Sequence, residues 1–284
     1  MRSMMTMTRR TIVLGATALL AWTSQASADD LMARGKADGL RVAYYNFAPF
    51  AYVDDKGDVI GEQVEILRHV LGEMGLKVAS ETSTEWGNLI PGLKADRFDV
   101  LAAGMFVTSK RCAEVAFTEP TFGIQQAIIV PKGNPKNLSN FESVRDAEAV
   151  LAAIAGTAQV DWAKSVDVND ANIMQIPDNP TGLAAVRAGR ADGFTIDAPG
   201  ARLALEALPE KDLEMLEPFG EVGGKPASPH GAYAVRPSEA DFVAAFNKIL
   251  AGFVGTPEHI AIMEARGLQA SELPKQTTAE LCAG

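Results

Sequence analysis

Residues 86–117, WGNLIPGLKADRFDVLAAGMFVTSKRCAEVAF, decide the fold. Leu89, Ile90, Leu93 and Ala95 fall at helical spacing, and 99–104 is a short apolar run of strand length. Gly104 then lets the chain turn into a polar segment carrying Thr108, Ser109 and Arg111. Ligands of open α/β sheets bind beyond the carboxyl ends of the strands, so 106–111 falls where a ligand would sit. An arginine there, among hydroxyls and aromatics, has the outline of a carboxylate clamp.

The same rhythm extends in both directions. A strand over 41–46, a turn over 54–58, a helix over 62–74 ended by Gly75 and a strand over 77–84 precede the stretch. Together they predict a βαβαβ unit with a parallel sheet. Residues 122–132 read as one extended apolar strand, closed by the breakers Pro131, Gly133 and Pro135. A second alternating unit follows, with strands over 150–155, 172–177 and 192–196 and helices over 158–164, 180–188 and 199–208. Pro180 sits near its helix start, where its missing N–H costs nothing. A strand over 231–235 and amphipathic helices over 239–253 and 258–266 return to the first unit. The fold class expected is α/β with two lobes, each a mainly parallel sheet flanked by helices. Lobe 1 comprises 38–127 and 231–284, and lobe 2 comprises 128–230. Two crossing strands join them, an arrangement suited to hinge closure.

The 284 residues suffice for two domains. A composition of 47% hydrophobic and 22% charged residues is that of a soluble globular chain. Residues 1–28 read as an export signal, with Arg2, Arg9 and Arg10, an apolar core over 12–22 and an Ala26-Ser27-Ala28 cleavage site. Thr8-Arg9-Arg10 fits a twin-arginine signal as well as general export. Removing this leader takes away three arginines and no acid, moving the formal net charge from −10 to −13. Such a surface argues against nucleic acid and anionic membrane as partners. Cys112 and Cys282 are the two cysteines. In an exported chain an even count suggests a disulfide, the alternative being two free buried thiols. Neither has metal-ligand spacing, and His69, His230 and His259 are scattered, so no metal, cofactor or catalytic triad is expected.

The chain resembles the family 3 solute-binding proteins of ABC importers over residues 38–284, and within them the ectoine/hydroxyectoine-binding proteins. The resemblance is carried by NFAPFAY (46–52), by 86–117, and by EPTFGIQQAIIVPKGNP (119–135). PDNPTGLAAVRAGRAD (177–192), FNKILAGFVGTPEH (246–259) and TTAELCAG (277–284) add to it. It implies a periplasmic, non-enzymatic monomer that delivers a small zwitterion to an inner-membrane permease. Thr108-Ser109-Lys110-Arg111 matches the family motif whose arginine clamps the ligand carboxylate. Phe50, Trp86 and Phe106 match the aromatic positions of the ectoine pocket, where ring faces attract a diffuse cation. Gly156 and Thr157 match a helix start and hydroxyl that meet the carboxylate. Two positions depart from the ectoine pattern. Phe47 replaces an acidic residue, and Asp197 stands near where a hydroxyl is expected, as in amino-acid binders that use it for the ligand ammonium. Asp197 also reads as a helix N-cap ahead of Pro199. Asp178, Asn179 and Glu62 are weaker candidates. A polar amino acid is the alternative ligand, and a periplasmic dehydratase of the same fold is the enzymatic rival.

Overall fold

The computed structural model describes residues 30–227 and 229–283. The export signal expected over 1–28 lies outside them. A six-stranded and a five-stranded sheet share one plan. In the first, Leu40–Tyr44 lies between Val78–Ser83 and Val100–Phe106, all parallel. His230–Val235 then pairs antiparallel with Val100–Phe106, and Ala116–Phe117 closes the edge. In the second, Leu151–Ile154 lies between Ile173–Ile176 and Gly193–Asp197, all parallel. Gln126–Pro131 pairs antiparallel with Gly193–Asp197, and Leu213–Met215 takes the edge. Each sheet is thus mixed. Its antiparallel member is the strand by which the chain enters or leaves the lobe.

The apolar run 122–132 is two strands rather than one. Phe122–Gly123 pairs with His230–Val235 in the first sheet, and Gln126–Pro131 belongs to the second. The first crossing therefore sits at Ile124 and Gln125 rather than at the expected 127/128 boundary. Periodicity carries no sign of the switch, because both strands are buried on both faces and read as one apolar run.

The helices end where their caps dictate. Glu62–Glu73 stops ahead of Gly75, which takes φ 66°. Asp178 accepts the Thr181 N–H at 2.8 Å to start Asn179–Arg187, and Asp197 does the same for Gly200 at the head of Ala198–Glu206. Short pieces without strong periodicity were not foreseen: Leu31–Ala37, Phe141–Asp146 and Thr278–Ala283 are helical. The segment read as a polar turn after Phe106 contains a one-turn helix, Ser109–Cys112, capped by Thr108.

One core, built on Leu67, Leu71, Tyr233 and Phe246, lies outside the first sheet. Another, built on Ile128, Phe141 and Leu151, lies outside the second. Behind the strand Val100–Phe106, the fully buried Asp99 accepts from the Arg41 backbone and guanidinium and from Arg236, fixing where that strand begins.

Cys112 and Cys282 are paired, with Cα atoms 5.8 Å apart. The bridge staples Thr278–Ala283 beside the Arg111 turn, where the Thr278 hydroxyl also donates to the Thr118 carbonyl. Closing a loop of 170 residues removes denatured-state freedom worth up to about 5 kcal/mol. Cys282→Ser should therefore lower the melting temperature by many degrees. Dithiothreitol should do the same to the parent chain and leave the variant unmoved.

Candidate functional site

Both parallel units point their strand ends at one cleft, and a small cavity lies between them. The first sheet contributes Tyr45, Phe47, Phe50, Trp86, Ala103, Gly104 and Phe106 to its wall. The second contributes Ile154, Thr157, Ala158, Gln159, Thr195, Ile196 and Asp197. Five aromatic rings thus face a second-lobe wall in which Asp197 is the ionisable residue.

The rings brace one another. Phe47 lies edge-on to Phe50 with centroids 5.6 Å apart, Tyr45 lies edge-on to Trp86 at 5.9 Å, and Phe50 stacks on the buried Phe122 at 4.7 Å. Gly104 makes room for this. It has φ 61°, and a Cβ there would stand 2.8 Å from Phe50 Cγ. Gly104→Ala should cost about 1–3 kcal/mol of stability and push the Phe50 ring into the cavity. A lower melting temperature together with weaker solute binding would report it.

Asp197 is 2% exposed, and burial pushes its carboxyl up to about 7. The Gly200 N–H donates to Oδ1 and only partly offsets the burial. The carboxylate is therefore both helix cap and cavity wall, so the two readings of this residue are not exclusive. A cation brought into the cavity would stabilise its charged form.

Arg111 is not part of the cavity wall. Its guanidinium lies behind Trp86, 5.4 Å from the ring centroid, and is 8% exposed. It donates to the Phe106 carbonyl at 2.9 Å and the Gly156 carbonyl at 3.3 Å. Burial lowers its pKa to about 10, partly offset by Asp161, so it stays charged at neutral pH. Thr108 also lies outside the cavity, where its hydroxyl caps the helix start and accepts the Arg111 N–H. Gly156 presents its carbonyl to the opposite lobe. The Thr157 hydroxyl donates to the Ile154 carbonyl at 2.7 Å. Glu62, fully buried beside Gln63 and Thr121, does not reach the cavity, and Asp178 serves as a cap.

Direct contacts span the cleft. The Trp86 indole N–H and the Arg111 guanidinium of lobe 1 converge on the Gly156 carbonyl of lobe 2. The Tyr45 hydroxyl donates to the Pro177 carbonyl at 2.9 Å. Trp162 stacks across on Phe106 at 6.1 Å. Lys110 pairs with Asp161, and Arg202 pairs with Glu272. The lobes are therefore closed over the cavity.

Tyr45, Gln159 and Thr195 were not singled out from the sequence. The residue two before Phe47 on the same strand end was a readable signal for Tyr45. Nothing local marks Gln159, whose place depends on a contact with another strand.

Two hinged lobes closed over a small, mostly apolar cavity with one buried charge describe a ligand-binding protein of the cleft type. The chain belongs to the bacterial extracellular solute-binding proteins, family 3, whose model matches residues 40–264. It is 32% identical over 262 residues to a probable amino-acid ABC transporter periplasmic-binding protein of Sinorhizobium fredii, covering 89% of this chain and 85% of that one. The crystal structure of EhuB in complex with hydroxyectoine superposes with a TM-score of 0.80 at 27% identity, covering 89% of this chain and 96% of that one. A cyclohexadienyl dehydratase of Pseudomonas aeruginosa is 26% identical over 69% of this chain and 74% of its own length.

Proposed function

We propose that the chain is the extracytoplasmic receptor of an ABC importer and captures a small zwitterion of the ectoine/hydroxyectoine kind by closing its lobes. The observation that carries this is the cavity itself: five aromatic faces opposite a single buried carboxylate, Asp197. Ring faces attract a delocalised or compact cation by about 0.5–2 kcal/mol each, and Asp197 supplies the counter-charge. Arg111 supports the other end. Two of its five N–H groups are engaged, and the 3.3 Å bond to Gly156 is the weaker of the pair. Exchanging that bond for a solute carboxylate needs only a shift of the guanidinium beside Trp86. Thr157, at a helix start, stands on the same side as Gly156.

Binding first to lobe 1 and then to lobe 2 removes water from Asp197 and the guanidinium, which strengthens both charge contacts. The solute shifts the population toward the closed form to the extent that it binds that form better. A monomeric receptor of net negative charge, read by an inner-membrane permease, fits this scheme. The alternative reading is a polar amino acid as solute, favoured by Asp197 and by the amino-acid transport relatives.

A thermal-shift screen of ectoine, hydroxyectoine, betaines and the standard amino acids tests the reading. A hundredfold excess over Kd should stabilise the chain by about 2.7 kcal/mol. A shift with ectoine or hydroxyectoine supports the proposal. A shift confined to polar amino acids selects the alternative. Turnover of prephenate by the purified protein would overturn both in favour of the dehydratase reading.

A further inference from the structure

Among the contacts that join the lobes, the pair Arg202–Glu272 stands apart from the solute cavity. The Arg202 Nη2 reaches both Glu272 carboxylate oxygens, at 3.1 and 3.2 Å, and the Gly267 carbonyl at 3.3 Å. Arg202 belongs to the lobe-2 helix Ala198–Glu206, whose cap is Asp197. Glu272 belongs to the C-terminal segment, where its carboxylate also accepts the Gln269 N–H at 2.7 Å. Both side chains are largely shielded from water, at 25% and 12% exposure.

Each partner is tethered to one of the two chain crossings. The helix carrying Arg202 begins at Ala198, whose N–H donates to the Gln125 carbonyl at 3.0 Å in the first crossing. Lys275, three residues beyond Glu272, donates its backbone N–H to His230 Nε2 at 3.1 Å, at the start of the strand that returns to lobe 1. The crossings are themselves joined, the Ile124 N–H donating to the Pro229 carbonyl at 3.0 Å. A second cavity is lined by Ile124, Gln125, Ala198, Arg202, His230 and Glu272. The ion pair therefore lies beside the hinge, whereas the bonds of Trp86 and Tyr45 lie at the cleft. Further on, the Thr278 hydroxyl and Cys282 fasten the C-terminal segment to lobe 1. Glu272 thus moves with lobe 1 and Arg202 with lobe 2.

Two adjacent crossings leave a lobe free to twist about them as well as to open. A third link set to one side of them removes the twist and still allows rotation about the line through all three. Points close to a hinge axis move little as the lobes part, so a charge-assisted pair placed there is not broken by opening.

We propose that Arg202 and Glu272 form a third, ionic connection of the hinge, which confines the lobes to opening and closing and so delivers Asp197 in register to the aromatic wall. Both are positioning residues, since they act on the solute only through the path that the helix Ala198–Glu206 takes. The inference rests on lobe closure and not on which solute is captured.

The test is the interlobe distance by pulsed electron resonance. Spin labels go on Glu73→Cys in lobe 1 and Arg190→Cys in lobe 2, both exposed, while Cys112 and Cys282 are bonded to each other and take no label. Without solute, Arg202→Met and Glu272→Gln should each broaden the distance distribution. The double variant should broaden it no further than the wider single one, as for two partners in one interaction. With ectoine as probe, each single variant should bind about fivefold more weakly. If the pair only fastened the C-terminal segment, the melting temperature would fall while the distribution stayed that of the parent. An unchanged distribution in both variants overturns the hinge role. Broadening with parent-like ectoine affinity overturns its link to capture. Should Arg202→Met fail to fold, as judged by circular dichroism, Glu272→Gln carries the test, because it keeps an acceptor for Gln269. A parent that binds no ectoine rejects the ectoine reading alone, since the distances without solute still decide the hinge role.

Discussion

Asp197→Asn should reduce solute affinity at pH 7.5 by at least about thirtyfold and raise the melting temperature of the ligand-free protein, because it removes a carboxylate whose charge is disfavoured by burial. Asparagine still caps the helix Ala198–Glu206 through its side-chain oxygen, so the local fold survives. What it lacks is the charge that faces the aromatic wall. Removing one partner of a buried charge pair costs about 2–5 kcal/mol. The sign with pH follows from the same burial. The Asp197 carboxyl is raised to about 7 in the folded chain, against the ordinary carboxylate range when unfolded. Below about pH 7 it takes up a proton in the ligand-free form, so affinity for a cation-bearing solute should fall roughly tenfold per unit between about pH 7 and 5. Stability of the ligand-free chain runs the other way. The folded state binds the extra proton, so this contribution is fully present at about pH 4 and is lost as pH rises through about 7. Glu62, also raised to about 7 by burial, adds to the same trend. Calorimetry from pH 5 to 8 on the parent and on Asp197→Asn separates the effects. A flat affinity profile in the parent, or parent-like binding by the variant, would remove Asp197 from the site.

Gly200→Val should abolish tight binding without unfolding either lobe. Gly200 lies in the first turn after Asp197, and a Cβ there would stand 2.5 Å from Phe47 Cζ and 2.9 Å from Phe47 Cε2. Phe47 belongs to the opposite lobe and is braced by Tyr45 and Phe50, so it cannot swing freely. The collision with Phe47 arises only when the cleft shuts, whereas the 3.0 Å approach to Asp197 Oδ1 lies within one lobe. The expected result is a loss of a hundredfold or more in affinity, because charge contacts made in the closed form are not completed. Scattering measurements with saturating solute should show the variant remaining at the larger radius of gyration. Adding Phe47→Ala to Gly200→Val should restore closure and part of the affinity. A single variant that closes and binds like the parent would sink the idea.

How far the sequence reached depended on how local each cause was. Asp178 and Asp197 each precede a proline by two residues, and that cap-and-proline signal places the helix starts correctly. The strand expected to turn off at Gly104 runs on to Phe106, and it is the polar residues after Phe106 that mark its end. The aromatic wall followed from placing Phe47, Phe50, Trp86 and Phe106 at strand ends. What lay out of reach has the opposite property. The bond from the Arg111 guanidinium to the Gly156 carbonyl depends on how the second lobe docks on the first. Arg202 and Glu272 acquire meaning only from tertiary placement, since they meet across 70 positions of the chain. The split of 122–132 between two sheets is likewise a tertiary fact with no composition signal.

The closed cleft also makes the protein its own optical gauge. Among the described residues the tryptophans are Trp86 and Trp162, and each touches the opposite lobe, one through the Gly156 carbonyl and the other through the Phe106 ring. Opening the hinge would strip both indoles of these neighbours and wet them together. Ultraviolet-excited emission should therefore shift to the blue on closure, giving a label-free, millisecond record of the hinge in stopped flow.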